Sequence, residues 1–264
     1  MAKIDDDKAV AVVSKATSAV QEYAPGGAGA VALIRENVGG RGVSAFDLPR
    51  VKMPSGGSTT WEVPALEGPQ AARSIEGIIV HWNTRRAYWS NRENEGAPPD
   101  CGSDDGVTGF GWNGTNPTGD TEDVKYDANG RAIFAHDCAA CPLGGEDAWG
   151  TATDAKGNAT RGKACKEVRQ LFVLQPGELL PIVVSLSPTS IGEAHKFFMR
   201  MASSGVSYYG AVVSIALKAM GSGQQSYAII VPSVVRRLEG DEQERIVAYR
   251  GGILPMLEAV HAEV

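Results

Sequence analysis

Four cysteines are the residues in this chain best placed to do chemistry. Cys101, Cys138, Cys141 and Cys165 are its only cysteines, spaced C-x36-C-x2-C-x23-C. The tight pair lies in His136-Asp137-Cys138-Ala139-Ala140-Cys141-Pro142. Two thiolates two residues apart can grip one metal ion from a single turn, and two distant thiolates close a tetrahedron around it. Thiolates are soft ligands, so the set points to Zn²⁺ first, with an iron–sulfur cluster as the alternative, and away from Mg²⁺ or Ca²⁺. A site closed by four thiolates keeps no open position and is structural. His136 could replace one cysteine as a ligand, but such a neighbour more often lies outside the ligand shell. Three other readings stay open: disulfides, which are uncommon in the cytosol; a thioredoxin-like redox pair, which needs a βαβ context this sequence lacks; and four unconnected buried thiols.

A second group mixes aromatic rings with cations. His81-Trp82-Asn83-Thr84-Arg85-Arg86-Ala87-Tyr88-Trp89 places rings and guanidinium groups on one strand–turn region. Single-stranded nucleic acid is held by this mixture, with rings stacking on bases and cations tracking phosphates. Trp82, Arg85, Arg86, Tyr88 and Trp89 are the candidate contacts. Arg50, Lys52, Lys166 and Arg169 are candidate phosphate ligands, and Ser207-Tyr208-Tyr209 could extend the surface. The competing reading makes Trp82 and Trp89 core residues and the arginines ordinary surface.

No phosphate-binding loop, dinucleotide fingerprint or H-E-x-x-H motif is present. Asp100, Asp104 and Asp105 flank Cys101 and could take a divalent ion, but a solvated acidic loop is the better explanation. His195 falls on the polar side of a helix. No catalytic set emerges, and the chain reads as a non-enzyme.

These groups need a frame. At 264 residues with 43% hydrophobic content, the chain can build a real core. The net charge of −6 argues only weakly against nucleic acid, because it is unevenly spread. Glu93 to Asp154 holds thirteen acidic residues and two basic ones, whereas Arg161 to Lys218 holds seven basic and three acidic. The segment 91–160 is Gly/Asp/Asn-rich and reads as irregular, a length that calls for a staple. Around it the sequence predicts a helix over 6–23, a hairpin over Phe46 to Pro64, and strands over Ile75 to Trp89, Lys166 to Leu174 and Leu179 to Leu186. A helix opens at Ser190 with a Ser190-x-x-Glu193 capping box. A hairpin spans Val206 to Val231. A helical tail over 241–261 breaks near Gly251-Gly252 and Pro255. The divisions are an N-terminal helix and linker (1–42), a core (43–235) with a four-cysteine insert (91–165), and a helical tail (236–264). The class is α+β, mainly β.

The blocks Phe46-Asp47-Leu48-Pro49-Arg50-Val51-Lys52-Met53-Pro54-Ser55-Gly56-Gly57, Pro98-Pro99-Asp100-Cys101, Asp137-Cys138-Ala139-Ala140-Cys141-Pro142 and Gly162-Lys163-Ala164-Cys165-Lys166 resemble a group of phage and mobile-element proteins associated with single-stranded DNA binding. The resemblance spans residues 46–231 in blocks. It implies an OB-like barrel with a zinc-stapled insert, single-stranded DNA as ligand, phage replication or recombination proteins as partners, and the cytoplasm of a bacterial host as location. The acidic N-terminus, without a secretory leader, fits a cytosolic protein. Proteins of that kind often end in a disordered acidic tail, whereas Asp241 to Val264 reads as an ordered helix. A rival of another class is an acidic interaction or inhibitor protein that docks on a basic partner. A third is a nucleic-acid enzyme with a metal ion near Cys101.

Overall fold

The structure, a computed structural model, describes residues 47–90, 99–112, 124–126, 132–154, 157–222 and 226–258, with Tyr23, Leu33, Ile34, Glu36 and Asn37 ahead of them. The helix expected over 6–23 lies outside the described residues, apart from Tyr23.

The strands are β1 (Arg50–Lys52), β2 (Trp61–Val63), β3 (Gln70–Ala72), β4 (Ser74–Tyr88), β5 (Cys101–Ser103), β6 (Thr108–Trp112), β7 (Val124–Tyr126), β8 (Ala132–Asp137), β9 (Lys166–Leu174), β10 (Ile182–Leu186), β11 (Ala211–Met220) and β12 (Tyr227–Arg237). Helix α1 (Pro188–Ser203) follows β10, and α2 (Gly240–Glu258) is the last described element. Ten strands make one mixed sheet in the order β1-β10-β9-β4-β5-β6-β8-β7, with β11 joining β4 and carrying β12. The class is therefore α+β and mainly β. The expected closed barrel is corrected: the described strands form an open sheet that branches at β4, whose edge is shared between β11 at one end and β5 at the other.

β4 is the spine of the molecule. Its apolar run Ile75-x-x-Ile78-Ile79-Val80 is buried on both faces, which an alternating strand achieves only when both are covered. On the front face, Ile75 and Ile79 join Leu171, Val173, Val184, Val213 and Ile215 beneath Ala194, Phe197 and Met201 of α1. On the back face, Ile78 and Val80 join Phe172, Leu174, Val183 and Val212 beneath Ile246 and Ile253 of α2. A bulge at Val80 resets the register, from Ile79 opposite Val173 to His81 opposite Phe172. Beyond it Trp82, Thr84, Arg86 and Tyr88 point to the front, and His81, Asn83 and Arg85 to the back.

Several local expectations change. The hairpin expected over Phe46 to Pro64 is not formed by its described residues, 47–64: β1 pairs in parallel with β10, and β2 pairs with β3. The Gly56-Gly57 turn does exist, with φ of 63° and 73°. The capping box is also corrected. Ser187 is the N-cap, without a side-chain bond, and Pro188 starts the helix. The Ser190 hydroxyl instead accepts the Ile230 amide at 3.2 Å. Finally, α2 runs unbroken past Gly251, Gly252 and Pro255, its face held by the back cluster. Arg250 fixes it there, donating from Nε to the Val80 carbonyl at 2.7 Å and lying 3.9 Å from the Tyr209 ring centroid.

β12 is an edge strand among the described residues. Its outward amide at Ile230 is taken by Ser190, and two residues on, where the next outward amide would stand, the chain has Pro232. Both features block a further strand from adding.

Trp61 closes the front core. It is fully buried, and its indole Nε1 donates to the Ile215 carbonyl at 2.9 Å, tying the β2–β3 ribbon to β11. Trp61→Phe leaves that carbonyl unpaired and a void beside it. A loss of about 2 to 3 kcal/mol in urea unfolding is expected; an unchanged midpoint would show that the ribbon contributes nothing to the core.

Candidate metal centre and nucleic-acid interface

The insert is not irregular as expected. β5, β6, β8 and β7 form an antiparallel meander that extends the sheet from the far end of β4. Its strands are short and Gly-rich, as in Cys101-Gly102-Ser103 and Thr108-Gly109-Phe110-Gly111-Trp112, so composition hides them.

This meander places the cysteines. Tyr88 pairs with Cys101, and Cys101 with Gly111; Gly109 pairs with His136. Strand alternation puts Cys101 and His136 on the front face. Cys138 follows β8 and holds the Val107 carbonyl through its amide at 2.8 Å. Cys141 begins a tight loop in which the amides of Gly144 and Gly145 reach its carbonyl at 3.2 and 2.7 Å. A Cβ at Gly145 would lie 2.3 Å from the Ala139 carbonyl oxygen, so only glycine closes this loop. Cys165, one residue before β9, returns to the loop through its amide bond to the Leu143 carbonyl at 3.0 Å.

All four thiols line one cavity with Arg86, Tyr88, His136 and Gly144. It encloses about 10 Å³, room for one atom-sized sphere. None of the cysteines is in a disulfide; three are buried and Cys165 is half-buried. That removes the disulfide reading. His136 is buried, with Nε2 3.5 Å from Cys101 Sγ. Gly109 makes the space: a Cβ there would fall 2.7 Å from His136 Nε2 and 3.2 Å from Cys138 Sγ. As placed, the side chains do not form a coordination shell, for among the described residues no group of three His, Cys, Asp or Glu is arranged to hold an ion. What the thiols share is the cavity.

The electrostatics of that cavity are lopsided. Burial pushes the Cys101 thiol up to about 12, and the other three thiols push the same way. Cys165 rises to about 11, again through burial first and then Cys141 and Cys138. Cys138 is also raised by burial. Cys141 differs: burial pushes it up, but hydrogen bonds from His136 and from the amides of Leu143 and Gly144 outweigh that and bring it down. Without a cation, four thiolates cannot coexist here.

Arg86 is the keystone. Its Nη1 donates to the carbonyls of Cys138 at 3.2 Å and Gly144 at 3.0 Å, and its Nη2 pairs with Glu167 at 3.2 Å. The guanidinium thus clamps the cysteine loop to β4 and β9. The three aspartates are engaged too. Asp100 accepts from Ser90, Asp104 pairs with Arg85, and Asp105 accepts from Ser103 and the amides of Val107 and Thr108. Each closes a turn.

The candidate nucleic-acid contacts do not form one patch. Trp82, Arg86, Tyr88 and Arg169 lie on the front face. Arg50, Lys52, Arg85 and Lys166 lie on the back, opposite by strand alternation. Tyr88 lines the cysteine cavity. Trp82 stacks on Phe198 at 5.9 Å between centroids, and Phe198 meets Tyr208 at 6.0 Å. Trp89 lies just past β4 beside Lys166.

One regularity does link them. Lys163, Lys166 and Arg169, three residues apart, each lie over a tryptophan: Trp149 at 5.0 Å, Trp89 at 6.0 Å and Trp82 at 4.8 Å from the ring centroid. Trp149 is 70% exposed although its loop is well bonded, with Gly150 and Ala152 amides on the Gly162 carbonyl and a bridge between Thr153 and Ala159. Sequence reasoning misses Trp149 because it sits alone among acidic and small residues. Its one signal is a large ring in a segment otherwise too polar to bury it.

The fold and this site define a mainly β, α+β chain with a four-thiol cavity at one end of an open sheet. Comparison with protein-family models, curated proteins and solved structures finds no match. Among the described residues no helix is long and apolar enough to cross a membrane.

Proposed function

We propose that this chain binds single-stranded DNA, and that a zinc ion held by Cys101, Cys138, Cys141 and Cys165 organises the end of the sheet where it binds. The observation that carries the DNA reading is the run of three cations, Lys163, Lys166 and Arg169, each laid over a tryptophan. Stacking on an exposed ring is open to every base, and an adjacent cation can turn to the phosphate. Trp149 and Trp89 near the cysteine loop are the first stacking positions, and Trp82 with Arg169 offers a further one on the front face, opposite to Lys166. The open sheet is not a closed OB barrel, but OB-like binding by a strand face needs only the face.

The zinc reading rests on the cavity. Its four thiols are free of disulfides and line one small space, and the raised thiols await a positive charge. The thiols must rotate to close on an ion. Bound there, zinc would hold the thiolates and lock the loop; His136 would remain beside the shell, donating to sulfur.

Titration of a fluorescently labelled oligothymidylate at two salt concentrations tests the DNA reading. Affinity should fall steeply with salt, as phosphate contacts release counterions. Trp149→Ala should weaken binding by about tenfold, one stacked base, without loss of stability. Binding that ignores salt, or no binding at low salt, would sink the reading.

A further inference from the structure

The last turns of α1 and the outer half of β12 leave a groove of about 480 Å³ between them, on the front face and at the sheet's edge. Its floor is aliphatic and sulfur-bearing: Met201, Val206, Pro232 and Val234, with Phe197 behind. Val234 is 44% exposed. Arg200 and Arg237 stand on its rim, and no carboxylate lines it. Among the described residues neither guanidinium makes an ion pair, although Glu193 lies within electrostatic reach of Arg200, whereas Arg236 is bound by Glu242 on the other face.

We infer that this groove docks an acidic peptide segment of a partner protein, its carboxylates on Arg200 and Arg237 and an apolar side chain on the Met201–Val206–Val234 floor. Two observations select this occupant. Charge complementarity calls for an anion, because two cations flank an apolar trough whose lining holds no carboxylate. The floor then chooses between anions. Branched and thioether side chains with a proline ring suit an aliphatic or aromatic peptide side chain, whereas nucleic acid takes flat platforms of the kind Trp149 offers. A second copy adding a strand to β12 is excluded by Ser190 on the Ile230 amide and by the missing amide of Pro232. The groove therefore binds by side chains and not by extending the sheet. None of the three lysine- and arginine-capped tryptophans lines it, so it stands whether or not those bind DNA.

A labelled eight-residue peptide alternating Asp or Glu with Leu and Phe provides the probe, read by fluorescence anisotropy against the full chain. Binding should be weakened about tenfold or more by the double change Arg200→Glu and Arg237→Glu, which lies on the surface and should leave unfolding unchanged. Val234→Glu should weaken it as well by spoiling the floor. An analogue with Asn and Gln in place of the acids should bind much less. Failure of the acidic peptide to bind at high micromolar concentration would overturn the assignment, as would equal binding of the neutral analogue. So would a short oligonucleotide that displaces the peptide from wild-type protein but no longer binds the Arg200/Arg237 variant, since the groove would then belong to nucleic acid.

Discussion

A strong chelator should remove one zinc ion per chain and unfold the segment from Cys101 to Cys165 while the rest of the sheet survives. The difference follows from where apolar burial lies. β4, β9, β10, β11 and both helices carry two continuous hydrophobic clusters. Among the described residues the meander contributes none to either; those buried in the segment include Cys101, Cys138, Cys141, Ser103, His136 and two alanines. Binding of a structural zinc ion in small domains supplies on the order of 10 kcal/mol, far more than so thin a core. Hydrogen exchange should show the amides of Cys138, Gly145 and Cys165 becoming labile on metal removal, with those of Leu171 to Leu174 protected. Cys138→Ser should reproduce the effect without a chelator. Purified protein lacking zinc, yet with the meander amides protected, would defeat the proposal.

Arg86 carries the second large effect. Arg86→Ala leaves the Cys138 and Gly144 carbonyls and the Glu167 carboxylate without their donor. The side chain of Glu167 is 34% exposed, so water recovers part of that charge, and most of the penalty falls on the two carbonyls. A loss of about 3 kcal/mol is expected, together with weaker zinc retention. Arg86→Lys should recover only part of it, because one ammonium cannot span all three acceptors. The sequence made Arg86 a DNA contact. If Arg86→Ala kept full stability and zinc but lost DNA affinity, that earlier role would be the right one.

These two cases show where sequence reading works and where it stops. Ile78-Ile79-Val80 and Lys166 to Leu174 announce buried strands because a run of apolar residues has no other stable place. The spacing of the cysteines anticipates that all four line one cavity, since Cys138 and Cys141 sit within one tight turn. Partners fixed by the tertiary fold are invisible: nothing near Ser190 says that its hydroxyl belongs to Ile230 and not to the helix start, and nothing near Arg86 names Cys138 as its neighbour. The meander is illegible for another reason. Cys101-Gly102-Ser103 has the composition of a loop and becomes a strand through its pairing with Arg86, Ala87 and Tyr88. Alternation likewise divides Arg85 from Arg86, which one stretch of sequence presents as a single basic patch.

The proline near the middle of the last strand has a consequence for handling the protein. With its neighbours Val231, Val234 and Val235 all more than 40% exposed, this strand would otherwise be a seed for fibrils. Replacing Pro232 by valine restores the missing donor, and concentrated solutions of that variant should turn turbid and bind thioflavin where the parent stays clear. The imino acid thus guards this edge together with Ser190.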